Sequence, residues 1–218
     1  MASEVEICNL ALSNIRAGSI NSLTESSLQA QLCKLKYPIL RDRCLKELAW
    51  QFNHELRPLA VVTTKIFNWA YAYSYPVDCL RINRLVGSFE GIPAGSTGFI
   101  SRAIDAQVMS LKDLKRSIPY EVFNFDNVKL IGTDQPDLRI DFSAKVTDPN
   151  LFSDDFIMAL SYLLAAELSI PIVGAEQGRA LRSDSIAMYR EYLQSAMDAD
   201  LSDQYSAPTE SEFVTIRN

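Results

Sequence analysis

Imidazole chemistry in this chain would have to use one residue, because His54 is the only histidine among 218 residues. His54 and Glu55 begin the pattern H-E-x-x-H of zinc hydrolases, but no second histidine completes it. A serine nucleophile on a strand-to-helix turn would show the pattern G-x-S-x-G, which the sequence lacks. Both observations argue against zinc-dependent and Ser-His-Asp hydrolysis.

The four cysteines, Cys8, Cys33, Cys44 and Cys79, show no C-x-x-C spacing and do not indicate a zinc site. On one helix, Cys33 and Cys44 would share a face but lie about 16 Å apart, which is too far for a disulfide. We interpret all four as small apolar residues of a protein made in a reducing compartment.

Acidic residues leave one hydrolytic mechanism open, since two carboxylates from distant segments can act together as they do in glycosidases. The candidates are Asp105, Asp137 and Asp141, although each is explained more simply as a turn or strand-edge residue. No constellation combines a nucleophile, a base and an orienting group. We therefore predict that the chain is not an enzyme and uses no cofactor or metal.

Two further segments have a binding interpretation that their surroundings do not support. Residues 87–98, GSFEGIPAGSTG, are rich in glycine like a phosphate-binding loop, but no Gly-Lys-Ser/Thr follows, so we predict a mobile loop. Trp69, Tyr71 and Tyr73 alternate along a strand and could stack bases. No basic residues interleave with them, and we predict that they belong to a β core.

The elements that would position these residues begin with two N-terminal helices. Residues 3–16 carry apolar residues at helical spacing. Residues 25–54 contain the longest apolar stripe of the N-terminal half, with a capping box at Ser26 and Gln29 and a kink, not a break, expected at Pro38. The stripe consists of Ala30, Cys33, Tyr37, Leu40, Cys44 and Leu48.

Charge is distributed unevenly along the chain, whose net charge is -6. Residues 1–145 hold 17 basic and 15 acidic residues, whereas residues 146–218 hold 4 and 12, so an acidic C-terminal part would repel phosphate. Basic residues beside the N-terminal stripe predict a solvated helix face, the alternative being a ridge that binds a partner. They are Lys34, Lys36, Arg41, Arg43 and Lys46.

After His54 the apolar pattern changes from helical spacing to alternation, which predicts about six short antiparallel strands in one β layer. Asp126-Asn127 and residues 133–136 contain turn formers and predict hairpin turns within this layer. The predicted strands lie at residues 59–64, 69–74, 79–86, 120–126, 128–132 and 138–145.

Helical patterning returns after Ser153, the predicted cap of a helix that ends at Pro171 and Gly174. Its apolar run is shorter than the ~20 residues of a membrane span, and the N-terminus is acidic where an export signal would be basic. We therefore expect a soluble protein in which this helix is buried. A last helix at residues 175–199 would turn five large apolar residues inward. They are Leu181, Ile186, Tyr189, Leu193 and Met197.

Together these elements predict an α+β fold. N-terminal helices (1–54) and C-terminal helices (149–201) would form a four-helix bundle, and an antiparallel β domain (55–148) would be inserted between them. An extended C-terminal tail (202–218) would follow, and its alternating end could add as a strand to a sheet of another subunit.

Four motifs follow one another along the chain. Y-P-x-x-R-D-x-x-L-x-x-x-x-W-x-F begins at Tyr37, and W-x-Y-A-Y-x-x-P-x-D-C-L-R begins at Trp69. F-x-x-A-L-x-x-x-L-A-A-E-L begins at Phe156, and Y-x-x-x-L-x-x-A-x-D-A begins at Tyr189. In this order and spacing, over most of residues 1–200, the chain resembles the head-to-tail adaptors of short-tailed bacteriophages, the tail tubular protein A family.

The resemblance implies a structural virion protein without catalytic activity, assembled in the host cytoplasm and located at the head-tail interface. It implies a ring of twelve subunits between the portal protein and the tail nozzle, a tail tubular protein B-like protein. DNA would pass through this ring during genome ejection without specific binding. The tail would bind the portal through Tyr205, Phe213, Val214, Ile216 and Arg217, and an acidic lining of Asp198, Asp200 and Asp203 would repel the DNA.

Two other functions stay open. A virion-associated peptidoglycan hydrolase would clear a zone in a zymogram. A small scaffolding or regulatory binding protein would be a monomer or dimer that does not bind the portal protein.

Overall fold

A computed structural model describes residues 2–63, 68–87 and 118–203 of the chain. Within these ranges it shows four α-helices and two antiparallel sheets, which confirms the predicted α+β class. The glycine-rich segment after Gly87, Asp105 and the tail residues 204–218 lie outside the described residues.

The chain divides into two compact units. A helical unit is formed by Met1–Cys44 and Asp148–Asn218, and a β unit by Leu45–Thr147. The helices are α1 (Glu4–Asn14), α2 (Leu28–Glu47), α3 (Asp154–Val173) and α4 (Ala175–Asp203). The strands are β1 (His54–Pro58), β2 (Val61–Val62), β3 (Tyr71–Ser74), β4 (Cys79–Gly87), β5 (Glu121–Phe125), β6 (Val128–Thr133) and β7 (Leu138–Ala144).

Side-chain caps fix where the first two helices begin. The hydroxyl of Ser3 accepts a hydrogen bond from the Glu6 amide at 3.1 Å, and the Glu6 carboxylate accepts from the Ser3 amide at 2.7 Å, which is a complete capping box. At α2 the hydroxyl of Ser27, not that of Ser26, accepts from the first-turn amide of Ala30 at 3.3 Å. The predicted cap of α2 was therefore wrong by one residue.

Helix α2 is shorter than the predicted element at residues 25–54, because it ends at Glu47 and a 3-10 turn at Gln51–Asn53 leads into the sheet. The side-chain amide of Asn53 donates from Nδ2 to the carbonyl oxygen of Leu45 at 3.0 Å and ties this turn back to the end of the helix. Pro38 lies inside α2 without breaking it, as predicted.

Helix α3 begins at the predicted cap, since the Ser153 hydroxyl accepts from the Phe156 amide at 3.4 Å. Pro171 lies inside its last turn and does not end it. The helix ends at Gly174, whose φ of 96° lies in the region that favours glycine, and the Gly174 amide donates to Ile170.

Helix α3 has the length and composition of a membrane-crossing helix, but more than half of its most apolar window, 56%, is buried within the protein. Its fully buried residues occur on several sides of the helix, which is typical of a core helix. They include Phe156, Ala159, Leu160, Leu164, Ala165 and Leu168.

Helix α4 packs on α3 through small residues. Gly178, Ser185, Tyr189 and Ala196 are buried, and a Cβ atom on Gly178 would lie 2.9 Å from both the Ile170 Cα atom and the Ser169 carbonyl oxygen. The predicted inward face was correct for Tyr189 but not for the long side chains. Leu181, Ile186 and Leu193 are half-buried and Met197 is 44% exposed. Small side chains bring the two backbones close together, and long ones are displaced to the edges of the contact.

The β unit contains two sheets where one layer was predicted. The first has the strand order β1-β7-β4 and the second has the order β2-β3-β6-β5. Strand β1, His54–Pro58, was not predicted because charged residues and a proline interrupt its apolar pattern. The β6–β7 connection does not form the hairpin predicted at residues 133–136, since the two strands belong to different sheets.

The two sheets share one apolar core. Tyr73 and Ile131 contribute from the second sheet, and Leu138, Ile140 and Phe142 contribute from β7 in the first. Tyr73 is fully buried, as predicted, and its hydroxyl donates to the Gln135 carbonyl oxygen at 2.9 Å.

The other two aromatic residues of this segment differ from the prediction. Tyr71 is 38% exposed, and Trp69 packs against Gly132, whose Cβ position would lie 2.5 Å from the Trp69 ring. Successive strand residues point to opposite faces. Since Ile131 points into the core, Trp69 lies on the outer face of the second sheet.

The hairpin predicted at Asp126-Asn127 is present. Both residues have positive φ angles, 49° and 61°, as a type I′ turn requires, and Phe125 pairs with Val128 across the turn.

We predict that Gly178→Ala destabilises the helical unit by about 1–3 kcal/mol, because the added methyl group meets the backbone of α3 and the two helices must separate. Thermal unfolding followed by circular dichroism measures the effect. Gly18→Ala is the matched control, since a Cβ atom at Gly18 meets nothing within 4 Å. Equal melting temperatures for the two variants would contradict the close packing of α3 and α4.

Candidate interaction surfaces

Helix α2 has apolar residues on two different faces. The inner face is the predicted stripe, of which Ala30, Cys33 and Cys44 are fully buried. The outer face carries Leu28, Leu35 and Ile39, which are 54%, 63% and 64% exposed.

The spacing of these outer residues, seven and then four positions, places them along one line of the helix. We call Leu28, Leu35 and Ile39 the outer stripe. A line of this spacing is what a helix presents to a partner helix in knobs-into-holes packing. Fully burying one Leu or Ile side chain contributes ~1.5–3 kcal/mol, so covering three that are more than half exposed would favour association substantially. The outer stripe is therefore the principal candidate interface of the helical unit.

An acidic residue inside the apolar helix α3 fixes α2 and α4 at defined positions. Glu167 lies in α3, and its carboxylate accepts hydrogen bonds from the Lys36 ammonium group at 3.3 Å and from the Arg182 guanidinium at 3.1 Å. The Lys36 ammonium group also donates to the Glu167 carbonyl oxygen at 2.9 Å. One carboxylate thus connects three helices and determines which face of α2 turns outward.

The basic residues of α2 do not form one solvated face, so that prediction was wrong for two of them. Lys36 is half-buried against Glu167, and Arg41 is only 5% exposed. The Arg41 guanidinium donates to Asp42 at 2.8 Å and lies over the Tyr37 ring. Lys34, Arg43 and Lys46 are exposed, as predicted.

We predict that Glu167→Gln lowers the free energy of unfolding by roughly 0.5–1.5 kcal/mol, because both cations lose a charged acceptor that is partly shielded from water. Urea unfolding at low and high salt measures the loss. The difference from wild type should shrink at high salt, because salt screens the interaction. Glu191→Gln, which removes an exposed carboxylate from α4, should leave the free energy unchanged.

In the β unit, the polar residues that could take part in a reaction meet at one buried carboxylate. The side chain of Asp141 is 5% exposed, and its Oδ1 atom lies 2.6 Å from His54 Nε2 and 3.2 Å from Asn83 Nδ2. Its Oδ2 atom accepts from Arg84 Nε at 2.7 Å. Asp141 lies in β7, the central strand of its sheet, and not at a strand edge as predicted.

This cluster does not have the geometry of a hydrolase. Ser143 is the nearest serine in the register, but its hydroxyl contacts Asn83 Oδ1 at 3.4 Å, and it is fully buried. Asp137 is exposed in the turn before β7, and four residues of extended chain place it about 13 Å from Asp141, too far for a carboxylate pair. Within the described ranges, no group of three or more His, Cys, Asp or Glu side chains could hold a metal ion.

We predict that Asp141→Asn destabilises the β unit by about 1–3 kcal/mol, since it removes the charge that His54 and Arg84 share in a buried position. Denaturant unfolding measures the change. Asp126→Asn is the control, because Asp126 is exposed in the hairpin turn and asparagine accepts its positive φ equally well. A loss of similar size in both variants would show that the Asp141 cluster is not stabilising.

The cysteines are all free and buried, which agrees with their interpretation as packing residues. A hydrogen bond between the Cys8 and Cys33 side chains, together with burial, raises the pKa of the Cys8 thiol. Burial also raises the pKa of Cys79. The same hydrogen bond lowers the pKa of Cys33. The Cys8 and Cys79 thiols, which stay protonated at neutral pH, are poor nucleophiles and poor metal ligands.

The predicted portal and channel residues are only partly located. Asp198, Asp200 and Asp203 lie in the last two turns of α4, and the positions of their side chains are not described. The portal-binding candidates all lie beyond Asp203, outside the described residues. They are Tyr205, Phe213, Val214, Ile216 and Arg217.

Sequence reasoning missed the outer stripe, although its spacing was present in the sequence. Leu28, Leu35 and Ile39 could have been found by testing α2 for a second apolar line after the first was assigned. The meeting of His54 with Asp141 had no such signal, because it depends on strand pairing across 87 positions of the chain.

Comparison with protein-family models and with curated proteins finds no match to this chain.

Proposed function

We propose that this protein is a head-to-tail adaptor of a short-tailed bacteriophage, a structural component that forms a ring of twelve subunits. The ring joins the portal protein to the tail nozzle, and the DNA passes through it without specific binding. The motif order of the sequence suggests this class. The outer stripe of α2 is the observation that carries the proposal.

The outer stripe supports self-association for a physical reason. A helix that contacts only its own chain needs one apolar face, and the second face of α2 remains exposed to water. Glu167 holds the inner face in place, so α2 cannot rotate to bury Leu35 and Ile39 without breaking the contacts to Lys36. In an assembling ring, a neighbouring subunit would cover the outer stripe.

The proposal includes a particular architecture for the helical unit. Helices α1 to α4 would pack as a four-helix bundle, with the β unit inserted between α2 and α3. The contacts of α3 with α4 at Gly178, and with α2 at Lys36, support this arrangement. The extended tail would contact the portal, and the acidic end of α4 would face the lumen and repel DNA.

The experiment mixes the full chain with the portal ring of the same virion and images the product by electron microscopy. We expect twelve-fold rings docked on the portal. In the variant Leu35→Asp/Ile39→Asp, ring formation should fall by at least about tenfold, because two charges would be buried at each subunit contact.

Leu151→Asp is the control, because Leu151 is 58% exposed and belongs to a 3-10 turn, not to the outer stripe. Light scattering of both variants alone checks that each remains folded and dispersed. Normal rings from the α2 variant would eliminate the outer stripe as the subunit contact. A wild-type chain that does not bind the portal and stays a monomer or dimer would support a regulatory binding protein. A cleared zone in a peptidoglycan zymogram would support the hydrolase. Either result would overturn the adaptor proposal.

A further inference from the structure

The first sheet of the β unit carries two arginines side by side on its outer face. Arg81 pairs with Ser143 and Arg84 pairs with Asp141, although strict alternation would place residues three apart on opposite faces. An irregularity between Ile82 and Arg84 adds one residue to β4, as a β-bulge does, and turns both arginines to the same side.

An open groove of about 550 Å³ lies beside these arginines. We call it the arginine groove. It is lined by Ala49, His54, Arg81, Ile82, Asn83, Arg84 and Asp141.

Both guanidinium groups are held by hydrogen bonds to neighbouring groups. Arg84 donates from Nε to Asp141, and Arg81 donates from Nε to Asn83 Oδ1 at 3.3 Å and from Nη1 to the Glu47 carbonyl oxygen at 3.1 Å. The Arg84 side chain is still 61% exposed, and Arg84 lines the groove. A fixed fork loses little conformational entropy when it binds an oxyanion.

The carboxylate in the groove offsets one of the two guanidinium charges but leaves no free oxygen at the groove surface. Both oxygens of Asp141 are occupied by His54, Asn83 and Arg84, and the side chain is 5% exposed. The groove is therefore lined by Arg84 with both Nη atoms beyond the Asp141 contact, by Arg81 with its Nη2 atom, and by the His54 imidazole. This is a site for carboxylate or phosphate oxygens.

The separation of the two arginines favours one kind of oxyanion carrier. Their partners Ser143 and Asp141 are two residues apart on β7, so the arginine positions are separated by about 6.6 Å along the strand. Carboxylates at positions i and i+2 of an extended peptide have the same separation and lie on the same side. A nucleic acid backbone would instead need a longer row of basic residues.

The sequence contains three such acidic pairs. Glu4 with Glu6 and Asp198 with Asp200 lie in α1 and α4, and residues two apart on a helix do not share a face. The third pair is Glu210 with Glu212, in a stretch from residue 191 to 216 that holds no lysine or arginine.

We propose that the arginine groove binds the segment Glu210-Ser211-Glu212 of this protein in an extended conformation, with one glutamate on each guanidinium. The two charge-assisted contacts attach the C-terminal segment to the first sheet of the β unit. The proposal stands independently of the adaptor function, because it requires only the groove and the acidic pair.

The test uses the full, untagged chain labelled with ¹³C at histidine, in which His54 gives a single imidazole signal by NMR. We expect the His54 signal to move in Glu210→Gln/Glu212→Gln, because the groove is then empty. Adding a peptide of residues 206–218 in excess should return the signal to its wild-type position. A peptide with glutamine at both positions should bind at least about tenfold more weakly.

Glu176→Gln/Glu191→Gln is the matched control, since it removes two exposed carboxylates from α4 and should leave the signal in place. In Arg81→Gln/Arg84→Gln the response to the peptide should disappear. Arg81→Lys/Arg84→Lys retains the charge without the fork and should bind weakly, which tests the site even if the glutamine variant unfolds.

Three results would overturn the proposal. They are an unmoved His54 signal in the Glu210/Glu212 variant, an undiminished response in the arginine variants, and a response to inorganic phosphate or to a DNA oligonucleotide but not to the peptide. Mixing the labelled Glu210→Gln/Glu212→Gln chain with unlabelled wild-type chain then identifies the donor. A restored signal shows that a second copy supplies the segment, and a signal restored only by free peptide shows that each chain supplies its own. Both results support the groove as the binding site.

Discussion

The ionic contact of Glu167 with Lys36 and Arg182 is the interaction on which the helical unit depends. A carboxylate in an apolar helix loses hydration, so it must be matched by cations from its neighbours. Matching it with Lys36 fixes the rotation of α2 about its axis. That rotation buries the line through Cys33 and Cys44 and leaves the line through Leu35 on the outside. The contact that stabilises the helical unit thus leaves an apolar line of α2 exposed to water.

A second buried carboxylate has the same effect in the β unit. Asp141 binds the side chains of Arg84, His54 and Asn83 on one side of the first sheet, and these contacts occupy both of its carboxylate oxygens. The groups that face outward are the positively charged guanidinium groups of Arg81 and Arg84, which hydrogen bonds hold in place. In both units, one satisfied acidic residue determines the chemical character of the nearby surface, apolar in the first case and cationic in the second.

Local patterns predicted several elements correctly because their causes are local. The hairpin at Asp126-Asn127 follows from residues that tolerate positive φ, and the start of α3 follows from the hydroxyl of Ser153. The burial of Tyr73 followed from alternation along its strand. Tyr71 has the same alternation but is exposed, because the pattern does not tell where a sheet ends.

The sequence by itself determined the α+β class, the N-terminal cap of α3 and the apolar inner face of α2, since each depends on residues within a few positions of one another. Only the tertiary structure decided the division into two sheets, the close contact at Gly178 and the alignment of Arg81 with Arg84. These features depend on how distant backbones approach and on where a strand gains an extra residue. The free energies that select them come from contacts between segments, which no local pattern records.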